Sequence, residues 1–385
     1  MKNLILTTFL AISFVVQIFA QKNNYINEIK STIYKVDSTW QTIIPKKSNA
    51  FWDKAVFHMG NIAVYDLLQD TNLLSFTKEW TKHNVWRGTS CTYPAIWEWQ
   101  KMTNNQINVL NANYMTCFQV YIDLSKIENT PEKIKYLKYV IKNQMERNDV
   151  SFWYWTDALF MEMPVLTKLW NLDHNPIYLD KMFQYFTYMD NKLYDQEYGL
   201  YYRDEKYISP RFQTPNKLKD FWSRGNGWVF SAFAMVLSDI PDTCKHYQTY
   251  KERYIKMAQT LKKFQTPGGW WNNSIIDTSY TSGMESTGTA LNIYALCKGI
   301  NSGLLKNKNY KKTIKKAWDF VYNQAITDNN KMGYIFDLPE WKDIKYVPRH
   351  DYSRDYATGI FLLAATEYVK YRSQSNKKKH PDTKK

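Results

Sequence analysis

Two short stretches carry side chains suited to chemistry on a charged sugar. The first is Phe152-Trp-Tyr-Trp-Thr-Asp157-Ala-Leu-Phe-Met-Glu-Met-Pro164, one acid behind four aromatics at the head of an apolar run. The second is Phe221-Trp222-Ser-Arg224-Gly-Asn-Gly-Trp228, an arginine between two tryptophans. Aromatic faces stack on sugar rings, and a guanidinium fork holds a carboxylate. An Asp in an apolar setting has its pKa raised by desolvation, so it can give and retake a proton near neutrality. Asp157 is therefore the leading catalytic candidate; the competing role for an Asp opening a helix is to cap it. Arg224 competes for a role in an interhelix ion pair. Trp153, Trp155, Trp222 and Trp228 fit a core as well as a sugar contact. Glu285 and Asp355 are the further acids from which an ordinary glycosidase would draw its second carboxylate. Each also fits a cap or an ion pair.

These side chains must be positioned by helices. Helical periodicity recurs over 52–69, 72–83, 105–123, 131–147, 157–172, 176–191, 226–238, 248–265, 286–303, 310–324 and 355–372, with 25–43 as a further candidate. Pro164 falls inside one of these runs, where it predicts a kink. Strand-like alternation is sparse, and no tight repeat is visible. The helices starting at 157, 226, 286 and 355 are rich in Ala, Gly, Leu and Phe, and those between them are more charged. The pattern predicts one all-α domain, a toroid of six inner helices ringed by six outer ones. In such a toroid all inner helices begin at one end. The segments around Asp157, Trp222–Trp228, Met284–Thr289 and Asp351–Tyr356 then converge on one mouth, where helix N-termini favour an anion.

Composition narrows the ligand. Aromatic residues make up 17% of the 385, including 15 Trp and 30 Tyr. AT-rich codon usage accounts for many of the tyrosines but not the tryptophans, so an aromatic-lined cleft is expected. The net charge is +15, and +10 remains after the basic tail Lys377–Lys385 and Lys2 are set aside. A basic body suits a polyanion. No nucleic-acid-binding motif is present. Residues 1–20 read as a cleaved export signal, with Lys2 before the apolar run Leu4–Val16 and Ala20-Gln21 as the cleavage point. No later run is apolar enough to span a bilayer. Cys91, Cys117, Cys244 and Cys297 lack metal-ligand spacing and are expected as buried free thiols. His58, His83, His174, His246 and His350 show no zinc spacing, and nucleotide loops and nucleophile elbows are absent. No metal or cofactor is expected.

The set of motifs resembles the unsaturated uronyl hydrolases of glycoside hydrolase families 88 and 105, closer to the unsaturated rhamnogalacturonyl branch. The matching pieces are Trp155-Thr-Asp157-Ala-Leu-Phe-Met-Glu-Met-Pro164, Leu193-Tyr-Asp195 with Gly199-Leu-Tyr-Tyr-Arg203-Asp204, Phe221–Trp228, Glu285-Ser-Thr-Gly-Thr289 and Tyr356-Ala-Thr-Gly359. They stand in family order between about residues 50 and 370. The resemblance implies an (α/α)6 barrel over 21–372, followed by a basic tail at 373–385. It implies a hydrolase that hydrates the C4=C5 double bond left by a polysaccharide lyase on a non-reducing uronate. Asp157 would protonate C4 and then deprotonate the water that attacks C5. Arg224 would hold the uronate carboxylate, with Trp222 and Trp228 lining the first subsite. Two departures stand out. The second acid common in relatives falls at Asn113 or Tyr114 here, and Asn113 can bond a sugar hydroxyl but cannot accept a proton. Arg203 stands where some relatives carry a His, and it would suit another anion such as a sulfate.

The expected substrate is an acidic, lyase-generated oligosaccharide of the ulvan or rhamnogalacturonan type, met in the periplasm or outside the cell. Two other readings stay open at this level. One is an inverting glycosidase using Glu285 or Asp355. The other is a sugar-binding protein without turnover, motivated by Asn113.

Overall fold

The computed structural model describes residues 2–88, 94–99, 108–281, 283–337 and 347–377. Its α-helices are α1 (Lys2–Ile43), α2 (Trp52–Leu68), α3 (Thr71–His83), α4 (Cys117–Glu128), α5 (Lys135–Met145), α6 (Asp157–Asp173), α7 (Ile177–Leu193), α8 (Ser223–Asp239), α9 (Tyr247–Phe264), α10 (Thr287–Asn301), α11 (Asn307–Phe320) and α12 (Asp355–Lys377). The even-numbered helices close a ring: α2 packs on α4, α4 on α6, α6 on α8, α8 on α10, α10 on α12, and α12 on α2. The odd-numbered helices return the chain along the outside. This is the expected (α/α)6 barrel, with all six inner helices starting at one end.

Burial explains the two layers. In α8 every residue from Ser223 to Leu237 is buried, as in a helix enclosed on all sides. In α9 the buried set is Tyr247, Tyr250, Tyr254, Met257, Ala258, Thr260 and Leu261, a stripe at helical spacing. The ring closes where Gly60 of α2 meets Gly359 of α12. A Cβ on Gly359 would stand 2.2 Å from the Val56 carbonyl oxygen, so a larger residue would force the first and last inner helices apart.

Several expected boundaries move. The 105–123 run becomes α4 at Cys117–Glu128, preceded by a 3-10 turn over Ala112–Tyr114. The Asn111 side chain accepts from the Asn113 N–H and holds that turn instead. Helix α8 starts at Ser223, so Arg224 lies in its first turn. Pro164 sits inside α6, but the helix continues from Asp157 to Asp173. Proline cannot donate to the Phe160 carbonyl one turn back. Gln119 Nε2 of α4 donates to that oxygen at 2.8 Å, so the carbonyl is not left orphaned.

Cys117 and Cys297 are buried free thiols, and Cys244 is a half-buried one; Cys91 lies outside the described residues. No helix among the described residues is long and apolar enough to cross a membrane. No group of His, Cys, Asp and Glu among them is arranged to hold a metal ion.

The helix that carries Asp157 also buries Glu162. Trp153 Nε1 donates to Glu162 Oε2 at 2.9 Å, while Oε1 has no partner among the described residues. Burial pushes this carboxyl up to about 8. At pH 7 the folded chain keeps Glu162 protonated and the unfolded chain does not, so folding takes up a proton. The stability Glu162 contributes is full below about pH 4.5, the ordinary range of a glutamate, and is lost as pH rises towards 8. Glu162→Gln, neutral at every pH, should match the wild type in thermal melts near pH 4.5. It should gain on the wild type progressively up to pH 8, by a few kcal/mol at most at about 1.4 kcal/mol per pH unit. A constant difference between the two melts across that range would show that Glu162 is ionised in the fold.

Candidate active site

At the end of the ring where the inner helices begin, Thr156 precedes α6 and Asp157 is its first helical residue. Asp157 is not the cap that its position suggested. Its Oδ2 accepts from Thr156 Oγ1 at 3.0 Å, and the residue is 7% exposed. Burial raises its pKa, and the nearby Arg203 and Arg224 guanidiniums oppose the rise. The carboxyl is thus a buried acid under the influence of two cations.

Both arginines arrive there for definable reasons. A short hairpin pairs β1 (Tyr194–Asp195) with β2 (Leu200–Tyr201), and Arg203 follows it. The Thr156 N–H donates to the Arg203 carbonyl at 3.0 Å, which ties that loop to the head of α6. The Arg203 guanidinium lies 5.5 Å from the Tyr207 ring centroid and 5.9 Å from that of Trp222. Arg224 projects from the first turn of α8 and is buried. Its guanidinium lies 4.7 Å from the Trp222 ring and 5.1 Å from the Tyr356 ring. Nη1 donates to the Phe336 carbonyl at 2.8 Å and to Thr287 Oγ1 at 3.3 Å, while Nε has no partner among the described residues. A buried guanidinium with one edge unengaged is suited to a ligand carboxylate. Gly225 makes room for this: a Cβ there would stand 2.5 Å from the Trp222 ring and 2.9 Å from Thr156 Oγ1.

The other expected residues take different places. Trp155 is half-buried, 4.4 Å from the Tyr154 ring, and its backbone bridges to Asp204. Trp228 lies deeper. Its ring packs 4.4 Å from Phe160 of α6 and 6.4 Å from Trp52 of α2. Helices α2 and α8 are not ring neighbours, so this contact crosses the barrel axis and floors the site. Asn113 is half-buried on the turn before α4, at the same end of the ring. Tyr114 is buried, 5.1 Å from Phe51.

Glu285 is buried and occupied. Its Oε1 accepts from the Thr287 N–H at 3.0 Å and from the Thr287 hydroxyl, and its Oε2 accepts from the Gly288 N–H at 2.7 Å. Burial still raises its pKa, with Arg224 opposing. Asp355 accepts from Trp40 Nε1 at 2.8 Å and pairs with Lys54. Both acids that could have joined Asp157 as a second carboxylate are engaged elsewhere.

Sequence reading missed Trp52 and Asp337, and it placed Tyr356 at the mouth without giving it a role. Trp52 and Tyr356 open α2 and α12, and their rings meet at 5.0 Å. Inner-helix position was the signal for both. Asp337 had none, because its partners lie 15 and 17 residues away. It accepts from the Tyr352 hydroxyl and from Arg354 Nε and Nη2 at 2.9 and 2.6 Å. Burial would raise its pKa, but these bonds and the Arg354 charge hold it below the usual carboxylate range. They also fix the loop whose Phe336 carbonyl receives Arg224. Asp337→Asn should therefore act through Arg224, raising KM by about threefold to tenfold, the range for a weakened charge-assisted bond, with kcat nearly unchanged. An equal loss in kcat and kcat/KM would place Asp337 in the chemical step instead.

A family model described as Glycosyl Hydrolase Family 88 matches residues 25–372. The chain belongs to glycosyl hydrolase family 88. It is a glycosidase of the unsaturated uronyl hydrolase group, as its motifs suggested. A solved structure described as a glycosyl hydrolase family 88 protein from Bacteroides vulgatus is 37% identical, covering 90% of this chain and 99% of that one, with a TM-score of 0.85. Another, described as a polysaccharide lyase, is also 37% identical, covering 90% and 98% with a TM-score of 0.87. An unsaturated 3S-rhamnoglycuronyl hydrolase of Formosa agariphila is 25% identical over 389 residues, 96% of this chain and 98% of the relative.

Proposed function

We propose that this family 88 enzyme removes a C4=C5-unsaturated uronic acid from the non-reducing end of lyase-generated oligosaccharides by hydrating the double bond. One observation carries the reading: Asp157 is a buried carboxyl that feels the charge of two arginines, while Glu285 and Asp355 are tied up. A single acid serves hydration, in which one group acts twice. Protonated Asp157 gives its proton to C4, and positive charge develops on C5 and the ring oxygen. The Asp157 carboxylate then takes a proton from the water that attacks C5. The resulting hemiketal opens, and the sugar leaves as a keto-uronate with the acid restored. Arg224 holds the uronate carboxylate, with the Trp222 ring beside it. Trp228 acts from below as floor, not as a stacking face.

Arg203 gives the site a second cation, which suits a sulfate or a further carboxylate on the adjoining sugar. Together with the substrate named for the Formosa agariphila relative, this favours a sulfated glycuronyl-rhamnose fragment of the ulvan type. The enzyme would work after a polysaccharide lyase. The apolar run behind Lys2 supports export, to the periplasm or beyond.

The likeness to a structure described as a polysaccharide lyase favours one competing reading, in which the site makes the double bond instead of consuming it. A single assay separates the two. The purified protein is mixed with lyase-generated unsaturated disaccharides and, separately, with intact polymer, while the ultraviolet absorbance of the enol ether is followed. Falling absorbance on the disaccharides is the expected result. Rising absorbance on the polymer, with none lost on the disaccharides, would overturn the assignment.

A further inference from the structure

The outer helices differ in how their lysines are paired. Around α5, Lys133 meets Glu128 at 3.2 Å, Lys138 meets Asp173 at 3.6 Å, and Lys142 meets Glu146 at 3.8 Å. Around α11 the pattern changes. Lys315 pairs with Asp319 at 2.5 Å, and that Asp is the one acid in the helix. Lys308, Lys311 and Lys312 are exposed, as are Lys262 and Lys263 at the end of α9. None of these five has a carboxylate within ion-pair distance among the described residues.

Lys262, Lys308, Lys311 and Lys312 belong to one surface, and Lys263 follows Lys262 in the chain. Positions 308, 311, 312 and 315 recur at helical spacing and share a face of α11, spanning about 10 Å along its axis. The end of α9 is fastened to that helix. Lys316 Nζ donates to the Thr266 carbonyl at 3.0 Å, and Gln265 Nε2 donates to the Thr313 carbonyl at 2.9 Å. Lys262 Nζ lies 5.7 Å from the Tyr310 ring centroid. Outer helices run opposite to inner ones, so Lys262, Lys263 and Lys315 sit at the end of the barrel that holds the mouth. The chain leaving α9 goes directly to the site, where its Asn273 carbonyl accepts the Ser223 N–H at 2.8 Å.

We propose that this lysine face binds acidic polysaccharide chains of the kind from which the substrate is cut, holding them beside the mouth. The partner's chemistry rests on the activity proposed above. Unneutralised like charges on one face repel each other. A chain bearing a carboxylate or sulfate at regular intervals relieves that repulsion along the whole strip, which a single small anion cannot do. The attraction acts over about 10 Å at 0.1 M salt and fades above it.

The test compares the full-length protein with a variant carrying Lys262→Gln, Lys263→Gln, Lys308→Gln, Lys311→Gln and Lys312→Gln. Both are applied to resins bearing polygalacturonate, dextran sulfate or double-stranded DNA and eluted with salt. Thermal melting establishes that the variant is folded. The wild type should need more salt than the variant to leave both polysaccharide resins. For long unsaturated chains the variant's KM should rise about threefold to tenfold, a modest share of what a focused field can supply, while disaccharide kinetics stay unchanged. Equal elution of the two proteins would overturn the proposal, as would tighter retention on DNA than on either polysaccharide. Failure to turn over the unsaturated disaccharide would remove the activity proposed for the mouth; the elution comparison would still judge the lysine face.

Discussion

Asp157→Asn should leave the barrel folded and reduce kcat about 10²- to 10⁴-fold, the range for losing a positioned general acid. The amide has the same shape and can keep the bond to Thr156 Oγ1, but it has no proton to give to C4. Substrate should still bind, since Arg203 and Arg224 remain and no longer face a carboxylate. The variant should also melt no lower than the wild type. Burial raises the Asp157 pKa in the fold. The stability the group contributes is therefore full below the ordinary carboxylate range and is lost as pH rises through the raised value. A neutral amide avoids that loss, as expected where a site trades stability for chemistry. The first step needs the protonated form, so the wild-type rate should fall as pH climbs through the elevated Asp157 pKa. Kinetics of both proteins across pH, alongside thermal melts, check each part.

Arg224→Gln should have the second-largest effect, lowering kcat/KM by roughly 30- to 10³-fold. Truncating one partner of a buried charge-assisted pair costs about 2–5 kcal/mol, and here the lost partner faces the uronate carboxylate. The Phe336 carbonyl and Thr287 hydroxyl lose their donor as well. The direction of a second effect is fixed by charge. Arg224 opposes the raised pKa of both Asp157 and Glu285, so its removal should push Asp157 higher still. The decline in rate with rising pH should then move to higher pH than in the wild type. Arg224→Lys should rescue only part of the binding, because a lysine cannot present two parallel donors or stack on Trp222 and Tyr356. A variant with lower affinity but an unmoved pH profile would show that Arg224 does not sense Asp157.

The parts of this site legible in the sequence were those set by local pattern. Asp157 and Arg224 stand at the heads of apolar helices, and six inner helices in one ring must bring such heads together. The same logic reaches Trp52 and Tyr356, whose aromatic side chains open α2 and α12. Trp228 was readable as an aromatic near the mouth. Its depth was not, because that depends on Phe160 and Trp52 filling the axis from two other helices. Glu285 was equally open as cap or ligand, and only the folded chain shows its carboxylate bound to the Thr287 and Gly288 N–H groups. The start of α4 moved because Asn111 folds its side chain onto its own backbone, a local choice that competes with helix. Asp337 lies beyond any such pattern. Its role comes from a loop meeting the chain again at Tyr352 and Arg354, and only the folded molecule brings them together.

In the proposed mechanism the sugar leaves because a proton reaches C4, not because the glycosidic bond is displaced directly. Turnover of an unsaturated disaccharide in heavy water, stopped early and examined by NMR, tests this most directly. Wild-type enzyme should leave one deuterium at C4 of the released keto-uronate, on one face, and Asp157→Asn should form none. Release of the uronate with its double bond intact and no deuterium at C4 would contradict it.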